Sequence, residues 1–474
     1  MNEPLFRKIF IPLIVIVVCV AVSLVCLWVN KPSQILAVLG GILFILGLPW
    51  YIKNPQWMLY ITVIVIPLGV LAVVVPGMTA VPLLGAFLFV LCIPHLFLGT
   101  LQIPPLKRLY QYMVLLAALI AMSAVLGINI GHSYIYWKSI YQMMGFAFLL
   151  ICLMNTRDKL KILWWMIVLS CTLAALITLL AKYGLLPFSL SSFTYQNIGI
   201  DRQTGTDGDP NYFAVQLSVG FAFGLSALLY LKKNWKWVVV FPLLLILLGG
   251  IGLTLSLGAI IGLFFLLIFH LITTDRLSIN NKFFALIMIL VMAVSVLAVP
   301  AVQRRLGEQV SEAKYGIWRL GSDRVLTWSA GTNLVLHYPF KGVGIGNHGL
   351  LLPQYDIFNV RNKDDKTFVQ VAHNMYISFA ADNGIPTLIV FLCIIGFVFR
   401  RLRQINRLNL PDKFIINSVL SSLFCYLIQN IFLDGWRGKY LWVLIGMGAA
   451  IIILYPQKSD EGSNIENLRQ PAET

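Results

Sequence analysis

Apolar runs long enough to cross a lipid bilayer follow one another along almost the whole chain, and this pattern constrains the fold most. A helix needs about 20 predominantly apolar residues to cross the hydrocarbon core of a membrane. Hydrophobic residues make up 59% of the 474 residues, and charged residues only 11%. We therefore expect an all-α fold, a polytopic helical membrane protein.

The apolar runs predict fourteen transmembrane helices. The least certain boundary lies within residues 237–271, an apolar run too long for a single crossing. We divide this run into two helices at Gly249-Gly250-Ile251-Gly252, because glycines permit a tight turn. The first run lacks a small-residue cleavage site and is read as a retained span. The predicted spans are 9–29, 34–51, 57–75, 80–99, 109–129, 138–154, 162–181, 211–231, 236–251, 254–273, 283–300, 385–400, 414–433 and 439–455.

Charge in the connections predicts the topology. Lys and Arg of short loops stay on the cytoplasmic side. Every second connection between spans, counted with the termini, belongs to a set that carries twenty Lys or Arg residues, whereas the short connections between them carry six. Both termini are then cytoplasmic. The net charge of +16 reports this topology and contact with anionic lipid headgroups, which argues against nucleic-acid binding.

One connection is far more polar than the others. Residues 301–373, about 70 residues with nine Lys or Arg and six Asp or Glu, fall outside the membrane in this topology. The chain then divides into an N-terminal bundle (1–200), helices 8–11 (201–300), a large extracytoplasmic and partly helical loop (301–373), C-terminal helices (374–456) and a polar cytoplasmic tail (457–474).

Acids and cysteines narrow the function classes. All nineteen Asp and Glu fall in loops, tails or span ends, whereas ion-coupled carriers usually need carboxylates within the membrane. All seven cysteines fall in predicted spans, so we expect neither a disulfide framework nor a cysteine metal site.

Two external segments are long enough to hold a site. Near the end of the first, Asp209 and Pro210 are typical of a capped helix start, while Arg202 and Asn211 are candidates for lining a cavity roof. In the second, the large loop, a helix is expected from Ser322 or Asp323 to about His337. The glycine-rich run after it contains a literal G-x-G-x-x-G, but no strand–helix–strand unit surrounds it, so it is not a dinucleotide fingerprint.

Several motifs occur in a fixed order between about 200 and 400. They are Asp209-Pro210-Asn211-x-x-Ala214, Arg324-x-x-x-Trp328, His337-x-Pro339-x-x-Gly342-x-Gly344-x-Gly346, His373-Asn374-x-x-Ile377 and Asp382-Asn383-Gly384. In order, spacing and topology they resemble the signature region of the O-antigen ligase and polymerase superfamily.

The resemblance implies a metal-independent, inverting glycosyltransferase of the bacterial cytoplasmic membrane, without cofactors. Such an enzyme takes a glycan from undecaprenyl pyrophosphate and transfers it to a hydroxyl of a glycolipid, a growing glycan or a protein. It would act in surface polysaccharide biosynthesis, as a ligase, a repeat-unit polymerase or a protein O-oligosaccharyltransferase. A carrier of small anions such as bicarbonate is the alternative from another class.

The chemistry of such a transfer selects candidate residues. An imidazole can take the proton of the acceptor hydroxyl, and His373 is the candidate base. Guanidinium groups can stabilise the pyrophosphate leaving group, with Arg324 as first candidate and Arg319 or Arg202 as second. Further candidates for substrate contacts are Asn211, Asn374, Gly344, Gly346 and Arg437.

Plainer interpretations stay open for these residues. His373 alone could cap the following helix, and Arg324 could be a solvated arginine in a first turn. His337, His348 and His373 could form a zinc site, although no carboxylate or cysteine is arranged with them. The glycine run could serve only as a tight turn.

The sequence departs from the family at one position. Many members have arginine in a Ser-Arg-Gly-Ala stretch, where this chain has Ser256-Leu257-Gly258-Ala259. If the activity is the same, a basic residue from another loop must replace that arginine, and Arg437 and Lys439 are candidates.

Overall fold

The structure is a computed structural model that describes residues 49–75, 78–186, 194–197, 200–273, 279–312, 320–358, 371–408 and 410–456, together with 47, 314 and 316. The first predicted span, nearly all of the second, the tail 457–474 and the candidate Arg319 lie outside the described residues. Each of the other twelve predicted spans overlaps a helix.

The elements follow one another as a nearly all-helical chain. The helices are α1 (Gln56–Val65), α2 (Ala80–Phe97), α3 (Lys107–Val125), α4 (Ile130–Leu153), α5 (Arg157–Lys182), α6 (Pro210–Tyr230), α7 (Trp235–Thr254), α8 (Leu257–Thr273), α9 (Ile279–Leu297), α10 (Pro300–Glu312), α11 (Leu320–His337), α12 (His348–Leu351), α13 (Met375–Asn383), α14 (Ile385–Asn406), α15 (Lys413–Gln429) and α16 (Lys439–Leu454). Two 3-10 helices span Ile66–Ala72 and Leu352–Tyr355. Antiparallel strands β1 (Val73–Val75) and β2 (Met78–Thr79) form one hairpin, and β3 (Thr194–Asn197) and β4 (Ile200–Gln203) form another.

Within the described residues, seven helices are long and apolar enough to cross a membrane: α2 to α7 and α14. The shorter helices α1, α8, α15 and α16 are also apolar. The protein is therefore an all-α, polytopic membrane protein, which confirms the fold class predicted from the sequence.

Small residues let the central helices pack closely. Helix α6 packs against α7 and α15, and a Cβ on Gly220 of α6 would lie 2.5 Å from Cβ of Cys171 in α5. Trp164 of α5 donates its indole N–H to the Ser418 hydroxyl of α15 at 2.8 Å. Such contacts replace the hydrophobic effect as the source of helix association in lipid.

The predicted break between α7 and α8 exists, but not at the glycines. Helix α7 runs through them to Thr254, and the turn falls at Leu255, which has φ of 48°. A Cβ on Gly250 would lie 2.8 Å from Ala175 and 2.9 Å from Leu217. Gly250 therefore permits close helix packing, and the polar Thr254 and Ser256 end one helix and begin the next.

Two other boundaries differ from the prediction. Helix α4 starts at Ile130, so Lys138 lies two turns inside a helix rather than in a loop. Helix α11 starts at Leu320, which places Ser322 and Asp323 within it and excludes them as caps. Its end at His337 agrees with the prediction.

The described part of the large loop is held against the bundle by two small apolar clusters. Ala330, Leu352 and Ala372 form one, and Leu334, Val343 and Ala381 form the other. The first cluster joins α11 to the segment that leads into α13, and the second joins α11 to α13 itself. This packing brings the start of α11, near Arg324, close to the end of the loop, near His373.

Candidate functional site

His373 has an unusual backbone conformation, and hydrogen bonds hold the chain on both sides of it. Its φ is 51°, a left-handed value that few residues other than glycine adopt. The Thr327 hydroxyl on α11 donates to the carbonyl of Ala372 at 3.1 Å. The N–H of Met375 donates to the carbonyl of Asn430 at 2.9 Å. The surrounding fold thus fixes the direction of the His373 side chain.

Asn374, not His373, caps the helix that follows. Its side-chain oxygen accepts hydrogen bonds from the N–H groups of Tyr376 at 3.0 Å and Ile377 at 3.1 Å. This satisfies amides that have no partner within the helix. The plainer interpretation of His373 as the cap is therefore wrong, and the structure gives Asn374 a local structural role.

The surroundings of His373 favour the neutral imidazole. Burial of the ring lowers the pKa of His373, and the guanidinium of Arg324 lowers it further, with Asp209 acting in the opposite direction. A neutral imidazole near physiological pH has a free lone pair and can accept a proton.

Arg324 lies at the first turns of α11, half-buried, beside the loop between α15 and α16. Its Nη2 donates to the carbonyl of Phe432 at 3.3 Å, and the guanidinium lies 5.9 Å from the centre of the Phe432 ring. The sequence predicted both Arg324 and His373 as catalytic residues, and the structure brings Arg324 close enough to His373 to lower the pKa of the imidazole.

A buried ion pair that the sequence did not predict lies behind His373. Nδ1 of His348 is 3.0 Å from Oδ1 of Asp382, and the N–H of His348 donates to the same oxygen at 2.8 Å. Burial on its own would lower the pKa of His348, but the carboxylates of Asp382 and Asp434 outweigh it and the pKa is raised. The positive charge of His348 in turn lowers the pKa of His373.

The connection between α15 and α16 supplies two further charges. Asp434 is buried, and burial raises its pKa against the opposing effects of His348 and Arg437. The guanidinium of Arg437 lies 4.3 Å from the ring centre of Tyr136 in α4 and 5.2 Å from that of Trp436. Both charged residues line a cavity of about 230 Å³. The sequence singled out Arg437 but missed Asp434, three residues before it.

Arg202 and Asn211, which the sequence predicted to line a cavity roof, are hydrogen-bonded to each other at the break between α7 and α8. The guanidinium of Arg202 donates from Nη2 to Oδ1 of Asn211 and from Nε to the carbonyl of Thr254, both at 2.9 Å. The Ser256 hydroxyl donates to the same Asn211 oxygen at 2.9 Å. Arg202 is thus bonded to the turn beside Leu257, the position at which relatives have arginine.

The expected cap at the start of α6 is also present. The Asp209 side chain accepts from the N–H groups of Asn211 at 2.7 Å and Tyr212 at 3.0 Å. Asp209 thus caps α6, whereas Arg202 and Asn211 bind the turn before α8, and their lining of a cavity stays a prediction.

The glycine-rich loop packs against the end of α13. The N–H groups of Val343 and Gly344 donate to the carbonyls of Ala381 and Asp382, both at 2.9 Å, so these two amides already have acceptors. Gly346 packs against Tyr136, where a Cβ would lie 2.3 Å from the ring. The loop therefore positions His348, which follows it directly.

The histidines considered for zinc do not form a cluster of ligands. His337 lies at the exposed end of α11, where its Nδ1 is 2.8 Å from the carbonyl of Asn333 and its ring contacts Tyr355. Among the described residues, no group of three His, Cys, Asp or Glu side chains is placed to hold a metal ion.

Residues 242–392 match the family model described as O-antigen ligase. The match runs from α7 to α14 and includes Arg324, His348, His373 and Asp382, whereas Arg202, Asp434 and Arg437 lie outside it. No curated protein matches the chain at the threshold of significance. The chain thus contains a region similar to the O-antigen ligase family, and that region includes most of the motifs on which the resemblance rests.

Proposed function

We propose that the protein transfers a glycan from a polyprenyl pyrophosphate to an acceptor hydroxyl at the outer face of the bacterial cytoplasmic membrane. The observation that carries this proposal is that the fold brings the guanidinium of Arg324 close enough to His373 to lower the pKa of its imidazole, where the large loop meets the membrane helices. The match of residues 242–392 to the O-antigen ligase family model supports it.

The reaction balances with the groups present. The acceptor oxygen attacks the anomeric carbon from the face opposite the pyrophosphate, and the bond between that carbon and the pyrophosphate oxygen breaks. The acceptor proton passes to His373, and the bond's electron pair leaves on the lipid pyrophosphate, which Arg324 stabilises. The anomeric configuration inverts.

Arg202 is our candidate for the cation that relatives carry at the position of Leu257. It reaches the same turn from β4 and is 5% exposed, so its charge acts in surroundings of low polarity, where it stabilises a phosphate more strongly than in water. Arg437 then contributes a second positive charge from the connection between α15 and α16.

Reconstitution tests this function. The purified protein in liposomes is supplied with an undecaprenyl-pyrophosphate glycan and a glycolipid, a glycan or a peptide acceptor, and transfer is measured by mass spectrometry. We expect His373→Ala to lower the rate by about 10²–10⁴-fold, the usual contribution of a general base. The matched control is His337→Ala, at an exposed helix end.

Two results would contradict the proposal. Undiminished transfer in His373→Ala would remove that residue as the base. Absence of transfer to every acceptor by the wild-type protein, with acceleration of anion flux into the same liposomes, would replace the enzyme with a carrier. Product length separates the branches, because a polymerase yields a ladder of repeat units and a ligase a single addition.

A further inference from the structure

An apolar groove of about 510 Å³ opens on the membrane side of the N-terminal helices, between α1, α2 and α4. Phe89, Val90 and Tyr134 at its mouth are more than half exposed. Gly85 of α2 and Gly145 of α4 line it, and a Cβ on either glycine would meet no heavy atom within 4 Å. The groove therefore has room for an apolar ligand that enters from the bilayer.

One end of this groove is cationic and adjoins the polar cavity described above. Lys138 of α4 and Lys439, the first residue of α16, line the groove. Lys439 and Ile66 also line the 230 Å³ cavity that contains Asp434 and Arg437. An apolar space and a charged space thus meet at Lys439.

The polar cavity offers cationic groups to an anion. It contains two cations, Arg437 and Lys439, and two acids, Asp207 and Asp434. Burial raises the pKa of both acids and also lowers the pKa of Lys439, so it weakens charge of both signs. The Nε of Arg437 is buried and makes no hydrogen bond to a described residue.

The cavity is electrostatically continuous with the candidate base. Asp434 is within reach of both Arg437 and His348, and His348 is within reach of His373. A lipid-linked pyrophosphate that enters along the groove would reach Lys439, which also lines the cavity that contains Arg437.

We propose that the groove holds the first isoprene units of the polyprenyl donor, with the lipid-bearing phosphate between Lys439 and Arg437. This assignment rests on the proposed function and names the binding place of the donor's lipid. Pockets of about 300–1,000 Å³ enclose a drug-sized ligand, so the groove takes only the proximal part of the chain and leaves the rest in the bilayer.

Filling the groove tests the assignment. Gly85→Leu and Gly145→Leu place a side chain in open space within it, and Gly396→Leu on α14 is the matched control, since a Cβ there also meets nothing within 4 Å. With the long-chain donor we expect both groove variants to raise the KM by about tenfold or more, because apolar contact is lost. With a donor whose lipid is replaced by a methyl group, we expect them to match the wild type.

Equal KM values for the long-chain donor in the wild type and both groove variants would overturn the assignment. A KM raised to the same extent with the methyl donor would overturn it too, because that loss would not involve the lipid.

A binding measurement separates the failure of this assignment from failure of the proposed function. The wild-type protein in liposomes is labelled with a polyprenyl pyrophosphate that carries a diazirine on its first isoprene unit. We expect labelled peptides from α2 and α4, competition by unlabelled polyprenyl pyrophosphate, and loss of labelling in Gly85→Leu, whether or not transfer occurs. Equal labelling by a diazirine phospholipid, without competition, would mean a general lipid surface and would overturn the assignment.

Discussion

At the scale of single residues, the electrostatic surroundings of His373 decide what it can do. Burial lowers the pKa of His373, the charges of Arg324 and His348 lower it further, and Asp209 acts in the opposite direction. The same guanidinium that is proposed to stabilise the leaving group also keeps the base neutral. The two effects can be separated because charge and hydrogen-bonding geometry can be varied independently at position 324.

We expect Arg324→Gln to change the pH profile as well as the rate. Loss of the positive charge raises the pKa of His373 towards its ordinary value, so the imidazole becomes protonated at a higher pH. The acidic limb of the plot of kcat against pH therefore moves to higher pH. The rate itself should fall by about 10²–10³-fold, as when a preorganised donor is removed. Transfer measured against pH in liposomes provides the test.

Arg324→Lys is the matched control for the pH profile. It keeps the charge and loses the two-pronged geometry of the guanidinium, so kcat should fall while the acidic limb stays at the wild-type pH. An acidic limb that stays in place in Arg324→Gln would show that His373 is not the group that titrates.

At the scale of elements, the conformation of the glycine-rich loop before α12 depends on close packing against the C-terminal end of α13. Gly342 has φ of 65°, and a Cβ there would lie 2.3 Å from the carbonyl carbon and oxygen of Asp382. Asp382 in turn holds His348 by its side chain. The loop conformation is therefore a condition for the buried ion pair.

Gly342→Ala should destabilise the protein by about 2 kcal/mol or more, because the new Cβ meets backbone and the residue must keep a left-handed φ. Thermal unfolding in detergent, followed by circular dichroism, measures the effect. Gly307→Ala in α10 is the control, since its Cβ meets nothing within 4 Å. In a helix interior that change should stabilise by about 0.5–1 kcal/mol, and equal destabilisation of both variants would contradict the role given to the loop.

At the scale of the whole molecule, the N-terminal bundle takes part in the site. Tyr136 of α4 lies outside the matched region 242–392, yet its ring contacts both Arg437 and Gly346. Asn347 donates to the Ser133 hydroxyl at 3.0 Å across a sequence separation of 214 residues. The matched region is therefore packed against helices that the family model does not cover.

Tyr136→Ala should weaken donor binding without moving the pH profile. A cation–π contact is worth about 0.5–2 kcal/mol, which corresponds to a KM for the donor that is about two- to thirtyfold higher, with kcat nearly unchanged. Steady-state kinetics in liposomes separate the two constants. Tyr136→Phe keeps the ring and should behave as the wild type; a comparable rise in KM for Tyr136→Phe would contradict the ring contact as the cause.

The parts of this fold that could be predicted are those set by local pattern. Apolar runs of bilayer length correspond to helices at twelve positions, and Asp209-Pro210 marks the start of α6 because capping is a local interaction. Arg202 and Asn211 are only nine positions apart, and the sequence named both as candidates, although it did not predict the hydrogen bond between them. Local pattern misled at Gly249–Gly252, because glycine serves close helix packing as readily as turning.

The rest of the site depends on contacts between distant segments. The pairing of His348 with Asp382 requires the glycine-rich loop to fold back onto the end of α13, and no periodicity in either segment signals it. Asp434 becomes notable only through its burial and its proximity to His348. The signal that was available is that Asp434 and Arg437 are the only charged residues between Gln429 and Lys439.

Arg202 reaches the break between α7 and α8 from a separate hairpin, so the turn beside Leu257 depends on a residue outside the region that matches the O-antigen ligase model. A chimera that moves only residues 242–392 into another chain would carry Leu257 but leave Arg202 behind. On the role that we propose for Arg202, the unit that can be exchanged must include the hairpin as well as the helix break.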